Sequence, residues 1–258
     1  MKVCKIYCTY FGERGGKTRR TAGPTNATEA LEVFQKNINH DHIFDCGVDE
    51  MDIIVMNNES KTITQEGVNY LNKINGMTTP YGKIIVHNRK NIGGSLGAYS
   101  EAFDLYENEY DYWFFCEDDI SVIYERYFEL IVNEFKDEKL GFLAFNKIVH
   151  DGNPKKTYVG GALGASSGRI LSELKMKQGK LNYDVDPHST KNYGGFGHSE
   201  LYFTNPILKL GYEIRIPLLD PDIVPLADNW RHFDPQARWQ KEKNFDLKNK
   251  KFLVHFGL

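Results

Sequence analysis

The strongest structural signal in this chain is the segment DYWFFCEDDIS at residues 111–121. Its five residues from Tyr112 to Cys116 are aromatic or apolar, which is long enough for one fully buried strand and too short for a core helix. The acidic triplet Glu117-Asp118-Asp119 follows without a break. Crowded or buried carboxylates are unfavourable unless a cation or strong hydrogen-bond donors share their site. We therefore expect this strand to end at a cation-binding position.

The composition is that of an ordinary globular chain. The 258 residues are 41% hydrophobic and 26% charged, which is enough to bury a sizeable core. No linker-like or low-complexity run marks a boundary, so we expect one domain over residues 1–258, with two small domains as the alternative. A net charge of −3 gives no indication of a nucleic-acid partner.

Several features of the sequence favour a cytoplasmic location. The N-terminal residues lack the apolar core of a signal peptide, and no apolar run approaches the roughly 20 residues of a membrane-spanning helix. The four cysteines lack the paired spacing of a metal site, and Cys116 lies in a buried-strand pattern, so reduced thiols are expected. The lysine-rich residues 241–251 indicate a solvated face, with peripheral contact to an anionic membrane as the alternative.

Strand and helix patterns alternate through the first half of the chain. Strand-like segments end in four polar or glycine-rich exits, at residues 10–12, 57–60, 88–94 and 117–119. Repeated β-then-α units predict a largely parallel sheet with helices on both faces, in which ligands bind outside the carboxyl ends of the strands. The four exits should therefore converge on one crevice. The glycines at 93, 94 and 97 do not make a dinucleotide fingerprint, which disfavours a nicotinamide enzyme.

The second half of the chain is less regular. An apolar stripe from Ile123 to Ile131 predicts a core helix, and residues 141–145 predict another strand. Residues 158–168 are small and glycine-rich, which predicts a flexible segment that lets a ligand approach the backbone. A glycine-rich run at residues 192–197 then precedes Glu200 at a predicted helix start, and residues 212–216 predict a further strand.

Four motifs, in this order along the chain, resemble the nucleotide-sugar glycosyltransferases of GT-A fold. Asn91-Ile92-Gly93 followed by Ala98 is similar to the Asn-x-Gly…Ala pattern of family-2-like enzymes. The acidic triplet resembles the Glu-Asp-Asp form of the Asp-x-Asp motif in N-acetylglucosaminyltransferase I-like enzymes. Residues 195–211 resemble the Gly-Gly-Glu-Asp…Gly segment, and residues 252–257 resemble the Val-x-His-Phe of glycogenin-like enzymes. The resemblance spans residues 3 to 257.

The resemblance implies a GT-A, Rossmann-like α/β domain that transfers a sugar from a nucleotide-diphosphate donor to a saccharide or lipid-linked saccharide. Residues 1–120 would form the nucleotide-binding half and residues 121–258 the acceptor-binding half. A divalent metal, Mn²⁺ or Mg²⁺, neutralises charge on the leaving diphosphate and prefers oxygen ligands. Asp119 is the expected direct metal ligand, and the expected donor contacts are Thr9, Tyr10, Phe11, Asn57, Arg89, Asn91, Gly93, Glu117 and Asp118.

Some assignments have competing interpretations. The acidic triplet is also typical of a helix N-terminus capped by Ser121, although a cap needs only one carboxylate. By resemblance His255 is the expected second metal ligand, with His232 as the rival. The run Asp220-Pro221-Asp222 is better explained as a turn, and His40-Asp41-His42 is a weak metal pattern because no second pair follows at ligand spacing.

Glu200 is the candidate catalytic base, because an inverting transfer must remove a proton from the acceptor hydroxyl. In a retaining enzyme it would instead hold the acceptor. Tyr10, Phe11, Trp230 and Trp239 are candidate stacking residues. Two other functions remain open: a glycoside hydrolase that uses two of these carboxylates, and a sugar- or nucleotide-binding domain without turnover.

Overall fold

The computed structural model describes residues 1–12, 26–122, 125–145, 148–150, 157–159, 162–181, 198–215 and 253–255. The strands are β1 (Val3–Thr9), β2 (Met51–Asn58), β3 (Ile84–Arg89), β4 (Tyr112–Glu117), β5 (Ile120–Val122), β6 (Leu140–Ala144), β7 (Ile148–His150), β8 (Thr157–Val159), β9 (Gly164–Ser167), β10 (Glu213–Arg215) and β11 (Leu253–His255). The helices are α1 (Ala27–Ile43), α2 (Gln65–Ile74), α3 (Gly94–Tyr106), α4 (Tyr127–Glu134), α5 (Gly168–Gln178) and α6 (His198–Lys209).

A seven-stranded sheet with the order β3-β2-β1-β4-β9-β6-β10 forms the centre of the molecule. The strands β1, β2, β3 and β4 run parallel, and β9 is antiparallel to both of its neighbours. The apolar run at the start of the acidic segment forms β4, in the middle of this sheet, where Trp113, Phe114 and Phe115 are fully buried. The predicted α/β fold with a mostly parallel sheet is confirmed.

Helices cover both faces of the sheet, as β-then-α alternation predicts. One apolar cluster joins one face to α1, α2 and α4, and a second joins the other face to α3, α5 and α6. Alternate residues of β4 enter opposite clusters: Phe114 packs in the first, and Trp113 and Phe115 in the second. Among the described residues no helix is long and apolar enough to cross a membrane.

The region around β4 differs in two ways from the patterns considered in the sequence. Glu117 ends β4, and Asp118 and Asp119 form a turn that leads directly into the short strand β5, which contains Ser121, so the alternative in which the triplet begins a helix is wrong. The helix expected from Ile123 begins at Tyr127, and residues 120–122, which precede it, form β5 and pair with β11.

The glycine-rich segment at residues 158–168 also differs from expectation. It contributes β8, β9 and the start of α5, and β9 lies between β4 and β6 in the central sheet. Gly164 has a φ of +156°, and a Cβ there would collide with the carbonyl oxygen of Leu143. The close approach that glycine permits here is therefore that of the neighbouring strand and not that of a ligand.

Candidate active site

The carboxyl ends of the four parallel strands β3, β2, β1 and β4 lie side by side at one edge of the sheet. In the strand register Thr9 pairs with Asn57, Asn57 pairs with Asn88, and Cys8 pairs with Glu117. The polar exits predicted from the sequence therefore converge. Asn57 belongs to β2 itself and not to the loop after it, because this strand is longer than its apolar run.

A directed chain of hydrogen bonds crosses the ends of these strands. The Thr9 hydroxyl donates to Asn57 Oδ1 at 3.1 Å, and Asn57 Nδ2 donates to Asn88 Oδ1 at 2.8 Å. Thr9 is fully buried, and a buried hydroxyl proton that lacks an acceptor costs about 1–3 kcal/mol. The Thr9 hydroxyl therefore acts as the donor, and this sets the direction of the whole series of hydrogen bonds. Exposed Asn88 consequently presents its amide nitrogen, a donor, to the surface.

A cleft of about 550 Å³ opens beside Asn88, and we call it the β2–β3 cleft. Its lining combines amide side chains, two lysines and a glutamate with apolar side chains of α2 and the preceding loop. Its lining consists of Asn57, Glu59, Ser60, Lys61, Ile63, Val68, Leu71, Asn72, Asn88, Lys90 and Asn91. Such a mixture suits a ligand with an apolar ring and anionic or carbonyl oxygens.

The acidic triplet lies two strands away from β2, at the end of β4. Asp118 and Asp119 are only 4% and 2% exposed, whereas Glu117 is half-buried. The backbone N–H of Tyr10 donates to Asp118 Oδ2 at 3.1 Å, and the amide of Asn37 in α1 donates to the Asp118 carbonyl oxygen. Two carboxylates this deeply buried in adjacent positions are the donor set that a divalent cation fits.

The electrostatic environment next to the triplet is negative. Tyr99 of α3 is fully buried, and its ring packs 5.0 Å from that of Phe115. Burial raises the pKa of Tyr99 well above its ordinary value, and the negative charge of Glu117 raises it further. A cation bound at the triplet would relieve this concentration of negative charge.

The C-terminal strand β11 brings a histidine backbone position close to the triplet. β11 pairs antiparallel with β5, and His255 stands opposite Ile120, the residue after Asp119. In this ladder, opposed Cα atoms lie about 4.5–5.5 Å apart. The side chain of His255 is outside the described part of the structure, and so is the whole of its rival His232.

A group of three or more His, Cys, Asp or Glu side chains placed to hold a metal is not found among the described residues. In the weak pattern at residues 40–42, Asp41 accepts instead from Lys5 Nζ at 2.6 Å and from the Tyr7 hydroxyl at 2.8 Å. Mg²⁺ and Mn²⁺ typically take only one or two protein carboxylates together with substrate phosphates, so Asp118 and Asp119 would be enough to hold either ion.

Arg89 is a buried residue whose hydrogen bonds connect several elements at this edge of the sheet. It is 6% exposed, and its guanidinium donates to Asn58 Oδ1, to Glu101 Oε2 at 2.7 Å and to the Ile92 carbonyl oxygen at 2.9 Å. It thereby joins the end of β2 to α3 and to the loop that contains Asn91. Gly93, with φ of 75°, ends this loop and is the residue immediately before α3.

The two aromatic residues after β1 have different surroundings. Tyr10 is half-buried, and its hydroxyl accepts from Ser60 Oγ at 3.4 Å, which places it between β1 and the β2–β3 cleft. Phe11 is 1% exposed, and its ring lies 5.6 Å from that of Phe34, so the structure places it in the core.

Glu200 lies in the first turn of α6, at the helix start that the sequence predicts, and its side chain is not among those described. The other candidates outside the described residues are Trp230, Trp239, the Asp220-Pro221-Asp222 run and the lysine-rich residues 241–251.

Sequence reasoning missed Asn37, which contacts the backbone of the triplet. A signal was present, because an asparagine at position 37 lies on the apolar stripe of α1 between Phe34 and Ile38, where core residues are expected. A buried amide on such a stripe needs a polar partner. The sequence does not show which strand supplies that partner.

No protein-family model and no curated protein matches this sequence. Among solved structures, S. aureus TarS superposes with a TM-score of 0.51 at 16% identity, over 85% of this chain and 35% of the TarS chain. TarS residues 1–349 in complex with UDP give a TM-score of 0.50 at 13% identity, over 84% of this chain and 57% of that one. The mannosyltransferase PcManGT from Pyrobaculum calidifontis, solved with GDP-Man and Mn²⁺, gives a TM-score of 0.48 at 15% identity, over 88% of this chain and 58% of the PcManGT chain.

This chain spans about a third of the TarS chain and just over half of the shorter one. Identities this low establish the fold alone. Together with the strand order and the two helical layers, the likeness to TarS shows that the chain has the GT-A fold.

Proposed function

We propose that this protein is a metal-dependent glycosyltransferase, which moves a sugar from a nucleotide-diphosphate donor to a saccharide or lipid-linked saccharide. The observation that carries the proposal is the near-complete burial of Asp118 and Asp119 at the carboxyl edge of the sheet. This edge is where ligands bind in open α/β sheets. UDP in TarS and GDP-Man with Mn²⁺ in PcManGT are ligands of the proposed kind.

The β2–β3 cleft is the proposed site for the nucleoside end of the donor. Three strand spacings of about 4.8 Å separate β3 from β4, so the cleft and the acidic triplet lie at opposite ends of an extended binding surface. Tyr10, Asn57 and Asn91 would contact the nucleoside, and Asn88 would donate to one of its carbonyl oxygens. Lys61 and Lys90 make the cleft attractive to an anionic ligand.

The acidic triplet is the proposed site for the diphosphate and the sugar. When bound, Mn²⁺ or Mg²⁺ would neutralise charge on the leaving diphosphate. Asp119 would be its direct ligand, His255 a second protein ligand, Asp118 a contact of the sugar or the metal shell, and Glu117 a contact of the ribose. The Tyr10 N–H, which donates to Asp118 at 3.1 Å, keeps that carboxylate in place.

Glu200 is the proposed base of an inverting transfer, because it lies in the first turn of a helix that follows a glycine-rich segment in the half of the chain assigned to the acceptor. In this division residues 1–120 bind the donor and residues 121–258 bind the acceptor. We propose a cytoplasmic location for this reaction, in line with the reduced thiols that the sequence leads us to expect.

A panel of nucleotide-diphosphate sugars, each tested with and without Mn²⁺, provides the test. We expect one donor to raise the melting temperature only when Mn²⁺ is present and to release its nucleotide when an acceptor is added. Stabilisation without release in any acceptor mixture would favour a binding domain. Cleavage of a glycoside without nucleotide affinity would favour a hydrolase, and either result would contradict the proposal.

A further inference from the structure

The inward face of α1 carries polar side chains where an apolar stripe is expected. Asn37 is fully buried and Asp41 is 3% exposed, although their neighbours Phe34 and Ile38 belong to the apolar core. Asp41 contacts β1, and two other polar groups on this face contact the segment that follows β4. Asn37 donates to the Asp118 carbonyl oxygen, and His40 Nε2 lies 2.7 Å from the Val122 carbonyl oxygen.

The two carbonyl groups lie at the two ends of one short segment. Residues 118–122 contain the second and third carboxylates of the triplet and the strand β5 that pairs with β11. Asn37 and His40 are three residues apart and so lie on one face of α1, from which they hold both ends of this segment. On its other side, Asp118 is held through its carboxylate by the N–H of Tyr10.

The orientation of the Asn37 amide follows from its partner. A carbonyl oxygen only accepts, so Asn37 must present Nδ2 to Asp118, and its Oδ1 then has no hydrogen-bond partner among the described residues. A half-satisfied buried amide is less favourable for the stability of the fold than an apolar side chain would be. Violations of this kind are expected where function requires a particular geometry.

We propose that Asn37 is a positioning residue that fixes the backbone at Asp118 and thereby sets the affinity of the acidic triplet for a divalent cation. The inference rests on the proposed metal site. Asn37 acts through the Asp118 carbonyl and does not itself bind the metal. Partners that orient metal ligands in this indirect way typically change metal affinity by about 10- to 100-fold when they are removed.

Two substitutions separate this role from a purely structural one. Asn37→Leu removes the donor and fills the site with apolar volume, whereas Asn37→Ala removes the donor and leaves a cavity. Their effects on the melting temperature should differ, because cavities are destabilising and apolar filling is not. Their effects on metal affinity should agree, because both lack the same hydrogen bond to Asp118.

Ser100→Ala is the matched control. Ser100 is 2% exposed, and its hydroxyl donates to the Leu181 carbonyl oxygen at 2.9 Å, which makes it another buried donor to a backbone carbonyl. It belongs to α3, on the opposite face of the sheet. Its removal should lower the melting temperature and leave the affinity for Mn²⁺ unchanged.

The experiment measures the dissociation constant of Mn²⁺ for the full chain in saturating UDP or GDP, from the free Mn²⁺ signal in electron paramagnetic resonance. Both Asn37 variants are expected to weaken Mn²⁺ binding by about 10- to 100-fold relative to wild type and to Ser100→Ala. If both Asn37 variants bind Mn²⁺ as tightly as wild type, or if Ser100→Ala loses as much Mn²⁺ affinity as they do, the role of Asn37 is wrong and the proposed function is unaffected. A wild-type chain that binds no Mn²⁺ with either nucleotide would overturn the proposed function and this inference with it.

Discussion

The two helices that cover the centre of the sheet differ in what they bury. α3 packs an apolar surface that includes Leu96, Ala98 and Phe103 against β1 and β4. α1 covers the opposite face of the same strands, yet it places Asn37 and Asp41 there among its apolar residues. The buried hydroxyl of Ser100 in α3 donates to the Leu181 carbonyl oxygen and not to a strand, so the polar groups by which α1 contacts β1 and the end of β4 need a separate explanation.

The explanation we favour is that α1 holds strand ends in position as well as covering them. Its polar groups contact the side chains of Lys5 and Tyr7 on β1 and the carbonyl groups of residues 118 and 122 around β5. Stability on this face therefore depends on specific pairs, and on the α3 face it depends mainly on apolar area. Substitutions on the two faces should have correspondingly different effects.

The largest effect on stability is expected at Lys5, which is fully buried and paired with Asp41. Lys5→Met removes one partner of a buried ion pair and leaves an uncompensated carboxylate, which typically costs about 3–5 kcal/mol. Urea denaturation would measure the loss in the free energy of unfolding. The double variant Lys5→Met/Asp41→Asn should recover much of it, and no recovery would show that the aliphatic packing of Lys5 matters more than its charge.

A smaller effect is expected from a matched pair of tyrosines. The Tyr7 hydroxyl, on the α1 face, donates to Asp41 Oδ2 at 2.8 Å, so Tyr7→Phe should lower the free energy of unfolding by about 1.5–3 kcal/mol. The Tyr99 hydroxyl of α3 is buried without a hydrogen-bond partner among the described residues, so Tyr99→Phe should be neutral or stabilising. Equal losses in the two variants, measured by urea denaturation, would contradict the distinction between the faces.

The sequence predicts the arrangement of the α3 face better than that of the α1 face. Apolar runs identify the central strands, and β-then-α alternation brings the strand ends to one edge, so the positions of Asn57 and of the acidic triplet follow from sequence alone. The sequence does not predict β9, because Gly164–Ser167 contains no apolar run. This strand is buried because it lies between β4 and β6.

Contacts from side chains to backbone carbonyl groups are the second feature of this structure that the sequence does not predict. Which carbonyl Asn37 reaches depends on how α1 sits over β4 and β5, and no residue type at position 118 encodes that contact. Phe11 and Arg89 show the same limitation, because they follow the pattern of exposed strand exits and yet lie in the interior. Local sequence predicts where these two residues lie along the chain, whereas packing decides which way their side chains face.

The smallest effect is expected from acidification at His40, on the α1 face. Burial lowers the pKa of His40, although its hydrogen bond to the Val122 carbonyl opposes this shift. Because the folded pKa lies below the ordinary value of 6.5, the unfolded chain takes up the proton first, and stability is lost as the pH falls below about 6.5. The difference in melting temperature between wild type and His40→Gln should therefore narrow from pH 7.5 to pH 5.5. A constant or widening difference would show that His40 is not buried in this way.

The central claim is that the acidic triplet binds a divalent metal together with a nucleoside diphosphate. The most direct test is calorimetric titration of UDP and GDP into wild type, Asp119→Asn and the control Glu109→Gln, with and without Mn²⁺. Glu109 is an exposed carboxylate just before β4, at the opposite edge of the sheet. The account predicts Mn²⁺-dependent binding of at least one nucleotide in wild type and Glu109→Gln, and its loss in Asp119→Asn. Binding that is unaffected by Mn²⁺ or retained in Asp119→Asn would contradict it.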